Sequence, residues 1–170
     1  MRILRGPWRH WFDGVTASRQ DRPVTATPCT FCRIAAGELA AHLIFEDADF
    51  LAFLDHRPLF AGHCLLIPRL HRETVLDLPV ELGGALFAHT QRLSRAVEAG
   101  MKADGFFLAV NNRVSQSVPH VHVHVIPRRK KDGLKGFFWP RYKYSGEEEM
   151  IRAREAIVAE LPAAAGERRI

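Results

Sequence analysis

Three histidines alternate with valines in the second half of the sequence, at His120, His122 and His124. Successive side chains of a β-strand point to opposite faces, so the three imidazoles would project from one face, about 6.5–7 Å apart. Such an array can bind a metal ion, or it can supply a nucleophile with proton donors beside it. Three aligned histidines are harder to explain as ordinary core residues than one would be.

Imidazole suits attack on a phosphate because its unperturbed pKa, near 6.5, leaves it largely deprotonated at neutral pH. The attacking ring needs a fixed tautomer, and the charge on the phosphate oxygens must be neutralised. Gln116 and Ser117 lie just upstream and could donate hydrogen bonds to those oxygens. The residues alone therefore predict either nucleophilic catalysis or metal binding.

Cys29 and Cys32 form a C-x-x-C pair, a spacing shared by zinc sites and redox motifs. A thioredoxin-type pair opens a helix after a strand, and the residues before Cys29 predict no strand. A zinc site needs two more ligands, and two free thiols remain an alternative. Cys64 falls in an apolar strand and is predicted to be core. Three cysteines are too few and too odd in number for a secreted disulfide framework, so we expect a cytoplasmic protein.

The hydrophobic pattern predicts an α+β fold with a mostly antiparallel sheet of five to six strands. Acidic residues 46–49 join the first two strands as a hairpin. An apolar stripe predicts one long helix over 79–102, and a second helix over 146–161 begins with three glutamates that complement its dipole. The predicted strands are 43–45, 50–54, 63–67, 106–110 and 118–126.

The length of 170 residues suits a single folded domain. We expect a flexible basic extension over 1–28, the domain over 29–144, and a C-terminal helix and tail over 145–170. No apolar run approaches the roughly 20 residues that cross a bilayer, so no membrane partner is expected.

The formal charge of +5 is unevenly distributed along the chain. Residues 128–143 hold seven basic residues and one acidic residue, whereas 29–127 hold eight basic and ten acidic residues. This distribution favours a local phosphate contact after the histidines over a nucleic-acid-binding face. A solvated basic loop explains it equally well.

The segment from Gln116 to Pro127 resembles the signature of the histidine triad (HIT) family. The resemblance extends over residues 29–144 and implies a HIT-like fold. Four further blocks carry it in the family order: Cys29 to Cys32, Phe45 to Asp47 with Ala52 to Asp55, Gly62 to Pro68, and His71.

The resemblance implies that His122 is a nucleophile that forms a nucleotidyl-histidine intermediate. His124 would contact the phosphate and assist the leaving group, and His63 would support the site. Gln116 and Ser117 would bind phosphate or leaving-group oxygens, Asp55 the ribose hydroxyls, and Phe31, Phe45 and Phe53 the purine, although each phenylalanine could equally be core. The loop before Gln116 is shorter than in many members, which leaves open whether Asn111 or Asn112 touches substrate.

Zinc-containing members of the family imply that His71 and His120 complete a site with Cys29 and Cys32. Four protein ligands leave no open position for water, so this zinc would be structural. The resemblance also implies a homodimer in which the long helix and a strand pair across a two-fold axis.

These features together predict a nucleotidyl hydrolase or transferase that attacks an α-phosphate. Its substrate would be a nucleoside polyphosphate, a dinucleoside polyphosphate or a nucleoside phosphoramidate, and nucleic acid is not expected as a partner. One alternative is a zinc-stabilised nucleotide-binding or scaffold protein with vestigial catalysis. Another is a hydrolase whose zinc is held by all three histidines of the triad.

Overall fold

The computed structural model describes residues 29–134 and 142–160. The predicted extension over 1–28, the tail after 160, and part of the basic segment 128–143 lie outside the described residues. Five strands form one antiparallel sheet in the order β1-β2-β3-β5-β4, which confirms the predicted α+β class. The elements are α1 (Thr30–Ala35), β1 (Leu43–Glu46), β2 (Phe50–Leu54), β3 (Cys64–Pro68), α2 (Val80–Gly100), β4 (Gly105–Ala109), β5 (Val123–Arg128) and α3 (Glu147–Glu160).

The two faces of the sheet carry separate apolar clusters. The α2 helix covers one face with Leu86, Leu93 and Val97, which belong to the predicted stripe. The short α1 helix covers the other face, where Phe31 packs with Phe53 and their neighbours from β2 and β3. The rings of His120 and His122 lie on the second face, beside Phe31.

The β1–β2 hairpin closes through Asp47, whose carboxylate accepts hydrogen bonds from the N–H groups of Asp49 and Phe50. The pairing shifts between Leu43 and Phe45, so Phe45 lies opposite Ala52. Cross-strand partners share a face, and Ala52 belongs to the cluster under α2. The irregularity therefore turns Phe45 toward α2.

Backbone contacts divide the chain into two compact units, Met1–Lys130 and Lys131–Ile170. In the second unit the Glu149 carboxylate accepts hydrogen bonds from the backbone N–H and the hydroxyl of Ser145, which caps the start of α3. Across residues 29–134 and 142–160, no helix has the length and apolar character that a membrane span requires.

Candidate active site and metal cluster

The strand that carries the histidines begins later than predicted. The β5 ladder starts at Val123, and His120 and His122 precede it because the N–H of Val121 donates to the carbonyl of Arg72 instead of to a strand. The alternation nevertheless holds, since the valines between the histidines pack under α2. The rings of His122 and His124 lean together, with centroids 4.8 Å apart, so the predicted 6.5–7 Å spacing is too wide.

One backbone hydrogen bond fixes the tautomer of His122. Its Nδ1 lies 2.6 Å from the carbonyl oxygen of His120, and a carbonyl only accepts, so Nδ1 carries the proton. In the neutral ring the lone pair is then on Nε2, which is the atom available for attack. His122 is only 1% exposed, and its ring meets the edge of Phe31 at 5.2 Å between centroids. The imidazole is thus held in one orientation and shielded from bulk water.

A second chain of hydrogen bonds runs through His63 and His124. The N–H of Leu59 lies 3.2 Å from His63 Nδ1 and donates to it, so the proton of a neutral His63 is on Nε2. His63 Nε2 lies 2.9 Å from His124 Nδ1 and donates in turn. The proton of His124 is therefore on its Nε2. The Leu59 amide fixes the tautomer of His63, and His63 in turn fixes that of His124. His124 can therefore donate from Nε2, the ring nitrogen that His63 does not contact.

Burial keeps both of these rings neutral. It lowers the pKa of His124 to about 4, with the nearby His122 and His63 adding to the effect while Asp55 opposes it. It also lowers the pKa of His63, against the attraction of Asp55. The tautomer assignment requires neutral rings, because a protonated imidazole has no lone pair with which to accept a hydrogen bond.

Asp55 lies at the end of β2, beside the histidine pair. One of its carboxylate oxygens accepts from the N–H of Arg57 at 2.8 Å, and the other lies 3.5 Å from His63 Nδ1. Its own N–H donates to the carbonyl of His63. Gly62 precedes His63 with a φ of +86°, and a Cβ there would meet the Met101 side chain. The turn that presents His63 therefore requires glycine.

The amide of Gln116 is occupied by backbone groups. Its Oε1 accepts from the N–H of Arg113 at 2.7 Å, and its Nε2 donates to the carbonyl of Glu73 at 2.6 Å. Ser115 adopts a φ of +57° in the same loop, a left-handed conformation that is uncommon for residues other than glycine. Gln116 thus joins this loop to the segment after β3, and only its second amide hydrogen remains for a substrate oxygen.

The other loop residues divide between exposed and structural positions. Ser117 is exposed and Asn111 is half-buried. Asn112 accepts from the N–H of Val75 at 2.8 Å, which gives it a role in bracing the loop. Of the two asparagines left open by the sequence, Asn111 is therefore the better candidate for a substrate contact.

The three candidate purine-pocket phenylalanines do not come together. Phe31 and Phe53 pack edge to face at 5.6 Å between centroids, on the face of His122. Phe45 instead stacks with His89 and lies under the guanidinium of Arg92, on the α2 face. Its position does not support a contact with a substrate held at His122.

The basic segment after β5 begins at the far end of the strand from the histidines. Arg128 pairs with Gly105, four residues along β5 from His124, a separation of about 13 Å at the rise of an extended strand. Arg129 donates to the carbonyl of Met101, and the N–H of Lys130 donates to Asp104. Residues 128–130 are therefore held away from the site and do not provide the expected phosphate contact.

The four predicted zinc ligands form one cluster, with their ligand atoms within 4.8 Å of one another. His71 Nδ1 and His120 Nδ1 are 3.3 Å apart, and Cys32 Sγ lies 3.3 and 3.6 Å from them respectively. Cys29 Sγ lies 3.5 Å from His120 Nδ1. A tetrahedral zinc ion with ordinary bond lengths separates two nitrogens by about 3.3 Å and a nitrogen from a sulfur by about 3.5 Å. The four residues fit such an ion.

The tautomer of His120 also favours a cation. His120 Nε2 donates to the carbonyl of Pro68 at 2.8 Å, so its Nδ1 turns a lone pair toward the cluster. Burial and the adjacent Cys29 raise the pKa of the Cys32 thiol to about 11, and a bound zinc would reverse this by stabilising the thiolate. The remaining triad members take no part, since His124 groups with Asp55 and His63. The geometry thus separates His120 from the other two histidines.

Comparison with known proteins shows which family combines this kind of sheet with these histidines. Residues 36–131 match the HIT domain. The chain belongs to the HIT family. An uncharacterised HIT-like protein of Mycobacterium tuberculosis is 43% identical over 109 residues, which cover 63% of this chain and 76% of that protein. The crystal structure of a Bacillus subtilis HIT family member matches with a TM-score of 0.72 and 32% identity, covering 81% of this chain and all of that one.

Other relatives of this HIT protein have names that state a ligand or an activity. The crystal structure of a zinc-bound histidine triad protein from Mycobacterium smegmatis matches with a TM-score of 0.60 and 38% identity, covering 77% of this chain and 94% of that one. An adenylylsulfatase of Arabidopsis thaliana is 37% identical over 62% of this chain and 55% of its own length. An adenosine 5′-monophosphoramidase of Saccharomyces cerevisiae is 35% identical over 71% of this chain and 76% of its own.

Backbone groups supply the parts of the site that sequence reasoning missed. The carbonyl of His120, the carbonyl of Pro68 and the N–H of Leu59 each fix one imidazole tautomer. Almost every residue has a backbone N–H and a carbonyl, so these contacts cannot be predicted from residue types. The one available signal is the Gly62-His63 pair, since a glycine before a histidine permits the tight turn seen here.

Proposed function

We propose that this HIT protein is a nucleotide hydrolase or transferase that attacks the α-phosphate of an adenylyl compound through His122. The observation that carries the proposal is the hydrogen bond from His122 Nδ1 to the carbonyl of His120, which leaves Nε2 as the only nucleophilic atom of the ring. The two relatives named for an activity share substrates in which a simple group is bonded to adenylate. On the basis of that shared chemistry, we propose adenine as the base and a simple group bonded to adenylate as the leaving group.

In the first half of the reaction, the lone pair on His122 Nε2 attacks phosphorus and the bond to the leaving group breaks. Positive charge develops on the attacking imidazole, and the carbonyl of His120 stabilises it through Nδ1. The N–H at His124 Nε2 donates a hydrogen bond to the departing group, and a leaving amine takes its proton from solvent. His63 keeps His124 in this donating tautomer. The product is an adenylyl-histidine.

In the second half, water attacks the adenylyl-histidine and releases adenylate and free His122. His122 departs from phosphorus as a neutral ring, and the proton released by the attacking water passes to solvent. The exposed hydroxyl of Ser117 and the second amide hydrogen of Gln116 are the proposed donors to the phosphate oxygens. Asp55 is the proposed partner of the ribose hydroxyls, although its carboxylate already accepts from the Arg57 N–H.

Hydrolysis of two matched adenylyl compounds tests this function. We expect the protein to release adenylate from adenosine 5′-phosphoramidate, whose leaving amine needs a proton, and from adenylyl sulfate, whose leaving group does not. Dinucleoside polyphosphates belong in the same panel as a third class. Binding of adenylate without turnover of any member would instead favour the scaffold alternative.

The relay through His63 predicts an effect that depends on the leaving group. The variant His63→Ala should lower kcat for the phosphoramidate by about 10- to 100-fold, because His124 loses the partner that fixes its proton donor. The loss should be much smaller for adenylyl sulfate, and KM should change little for either. The variant His63→Gln, whose amide can still donate to His124 Nδ1, should recover part of the rate. Equal losses on both substrates would show that His63 acts only through folding.

We also propose that Cys29, Cys32, His71 and His120 hold a structural zinc ion. The agreement of their separations with a tetrahedral site supports this, as does the zinc-bound relative. When bound, the ion would tie α1 to the segment after β3 without taking part in the chemistry, since four protein ligands leave it no open position.

A homodimer is proposed from the apolar surface that the first unit leaves exposed. Val80 and Phe87 on α2 are exposed at 88% and 61%, and Phe106 on the edge strand β4 at 42%. Exposed aromatic residues on a helix and on an adjacent sheet edge suit a pairing of two copies. Sedimentation equilibrium gives the stoichiometry directly, and a monomer at micromolar concentration would overturn the proposal.

A further inference from the structure

The cysteine pair of the metal cluster is more accessible than a purely structural site requires. Cys29 and Cys32 are both partly exposed and His71 is exposed, whereas His120 is fully buried. The two thiols also face the same cluster from the first turn of α1. Small oxidants can therefore reach both sulfur atoms from solvent, on a helix that packs against the nucleophile.

We propose that Cys29 and Cys32 form a redox switch, in which oxidation to a disulfide releases the zinc ion and lowers the activity of His122. This inference rests on the proposed zinc site. The two sulfur atoms lie within 4.8 Å of each other, and a C-x-x-C pair at the start of a helix is the spacing that redox disulfides use. The buried Cys64, whose thiol donates to the carbonyl of Gly62, takes no part.

The oxidant is a hydroperoxide, which accepts two electrons from the two sulfur atoms. One thiolate of the pair attacks the O–O bond, giving a sulfenic acid and releasing hydroxide or alkoxide. The second thiolate attacks that sulfur and expels a second hydroxide, which forms the S–S bond. Two electrons pass from the two sulfurs to the peroxide, two protons from solvent complete the products, and both anionic ligands of the metal are consumed. His71 and His120 alone then bind zinc weakly.

The α1 helix connects this change to the nucleophile. Phe31 lies between the two cysteines in sequence, and its ring meets those of His122 and His120 at 5.2 and 5.9 Å between centroids. In the zinc-bound form the two sulfurs hold this turn against His71 and His120. Loss of the ion removes that tie, so Phe31 no longer fixes the buried face of His122. Oxidation therefore lowers kcat through positioning, without any modification of the histidine.

The test treats the zinc-loaded protein with hydrogen peroxide and follows released zinc with a chromogenic chelator. We expect zinc release in step with the loss of two thiols, a Cys29–Cys32 disulfide in the peptide map, and a kcat lower by about tenfold or more. Dithiothreitol with added zinc should restore all three. Zinc that stays bound while the thiols of Cys29 and Cys32 are oxidised, or oxidation confined to Cys64, would overturn the switch.

Two variants separate the switch from the site on which it rests. The variant Cys32→His keeps four ligands but cannot form the disulfide, so it should retain its zinc under peroxide. The variant Cys64→Ser removes only the uninvolved thiol and should release zinc as the wild type does. A wild-type protein that binds no zinc before oxidation would refute the zinc proposal itself. Full zinc with no release under peroxide would refute only the switch.

Discussion

Replacement of His122 by alanine should lower turnover of adenylyl substrates by about 10⁴-fold or more, because no other group takes over from an absent nucleophile. The ring provides both the attacking Nε2 and the Nδ1 proton that is bonded to the carbonyl of His120. Binding of adenylate should be retained, since the proposed phosphate and ribose contacts come from other residues. Steady-state kinetics and calorimetric titration with adenylate measure the two quantities separately.

His122 is buried, so a variant that fails to fold must be distinguished from one that fails to react. The variant His122→Gly leaves a cavity that free imidazole can enter, and added imidazole should restore part of the rate. The exposed His42 offers a matched control, and His42→Ala should turn over at the wild-type rate. Undiminished turnover by a folded His122→Ala would exclude covalent catalysis at this residue.

Removal of one zinc ligand should have the largest effect on stability. His71 is exposed and contributes little to the apolar core, so His71→Ala should act through the metal. We expect the variant to lose zinc. Its free energy of unfolding should be lower than that of the wild type by about 3 kcal/mol or more. Metal analysis and urea denaturation provide the two measurements.

The dependence of stability on added zinc provides the control for this effect. Zinc that binds only the folded state stabilises it by mass action, so the wild type should gain stability with free zinc and His71→Ala should not. His42→Ala, the same substitution at an exposed histidine outside the cluster, should behave as the wild type. Equal stability of His71→Ala and the wild type, with or without zinc, would contradict a structural metal.

The fold was predictable wherever a pattern extended over several turns or strands. The stripe of α2 extends over several turns, and each strand except β5 lies within about two residues of its predicted position. The α1 helix escaped prediction because six residues are too few to display a helical period. The late start of β5 was also hidden, since the alternation continues through His120 and Val121 although the latter bonds to Arg72 rather than to a strand.

The site was predictable to the extent that its chemistry resides in side chains. The spacing of the cysteines and the resemblance to zinc-containing family members predicted a cluster that the structure assembles from three separate segments. The face of Phe45 could not be predicted, because the pairing shift between Leu43 and Phe45 reverses it relative to Phe53. The path of the chain after Arg128 depends on contacts with Met101 and Asp104, which the charge pattern does not contain.

The most direct test of the nucleophile is to map the covalent intermediate. The protein is mixed with an adenylyl substrate, denatured during turnover at alkaline pH, where phosphorus–nitrogen bonds to histidine survive, and digested for mass spectrometry. We predict one adenylyl group, on Nε2 of His122. An adduct on His120, on His124 or on a non-histidine residue would contradict the roles that the hydrogen bonds assign to these three rings.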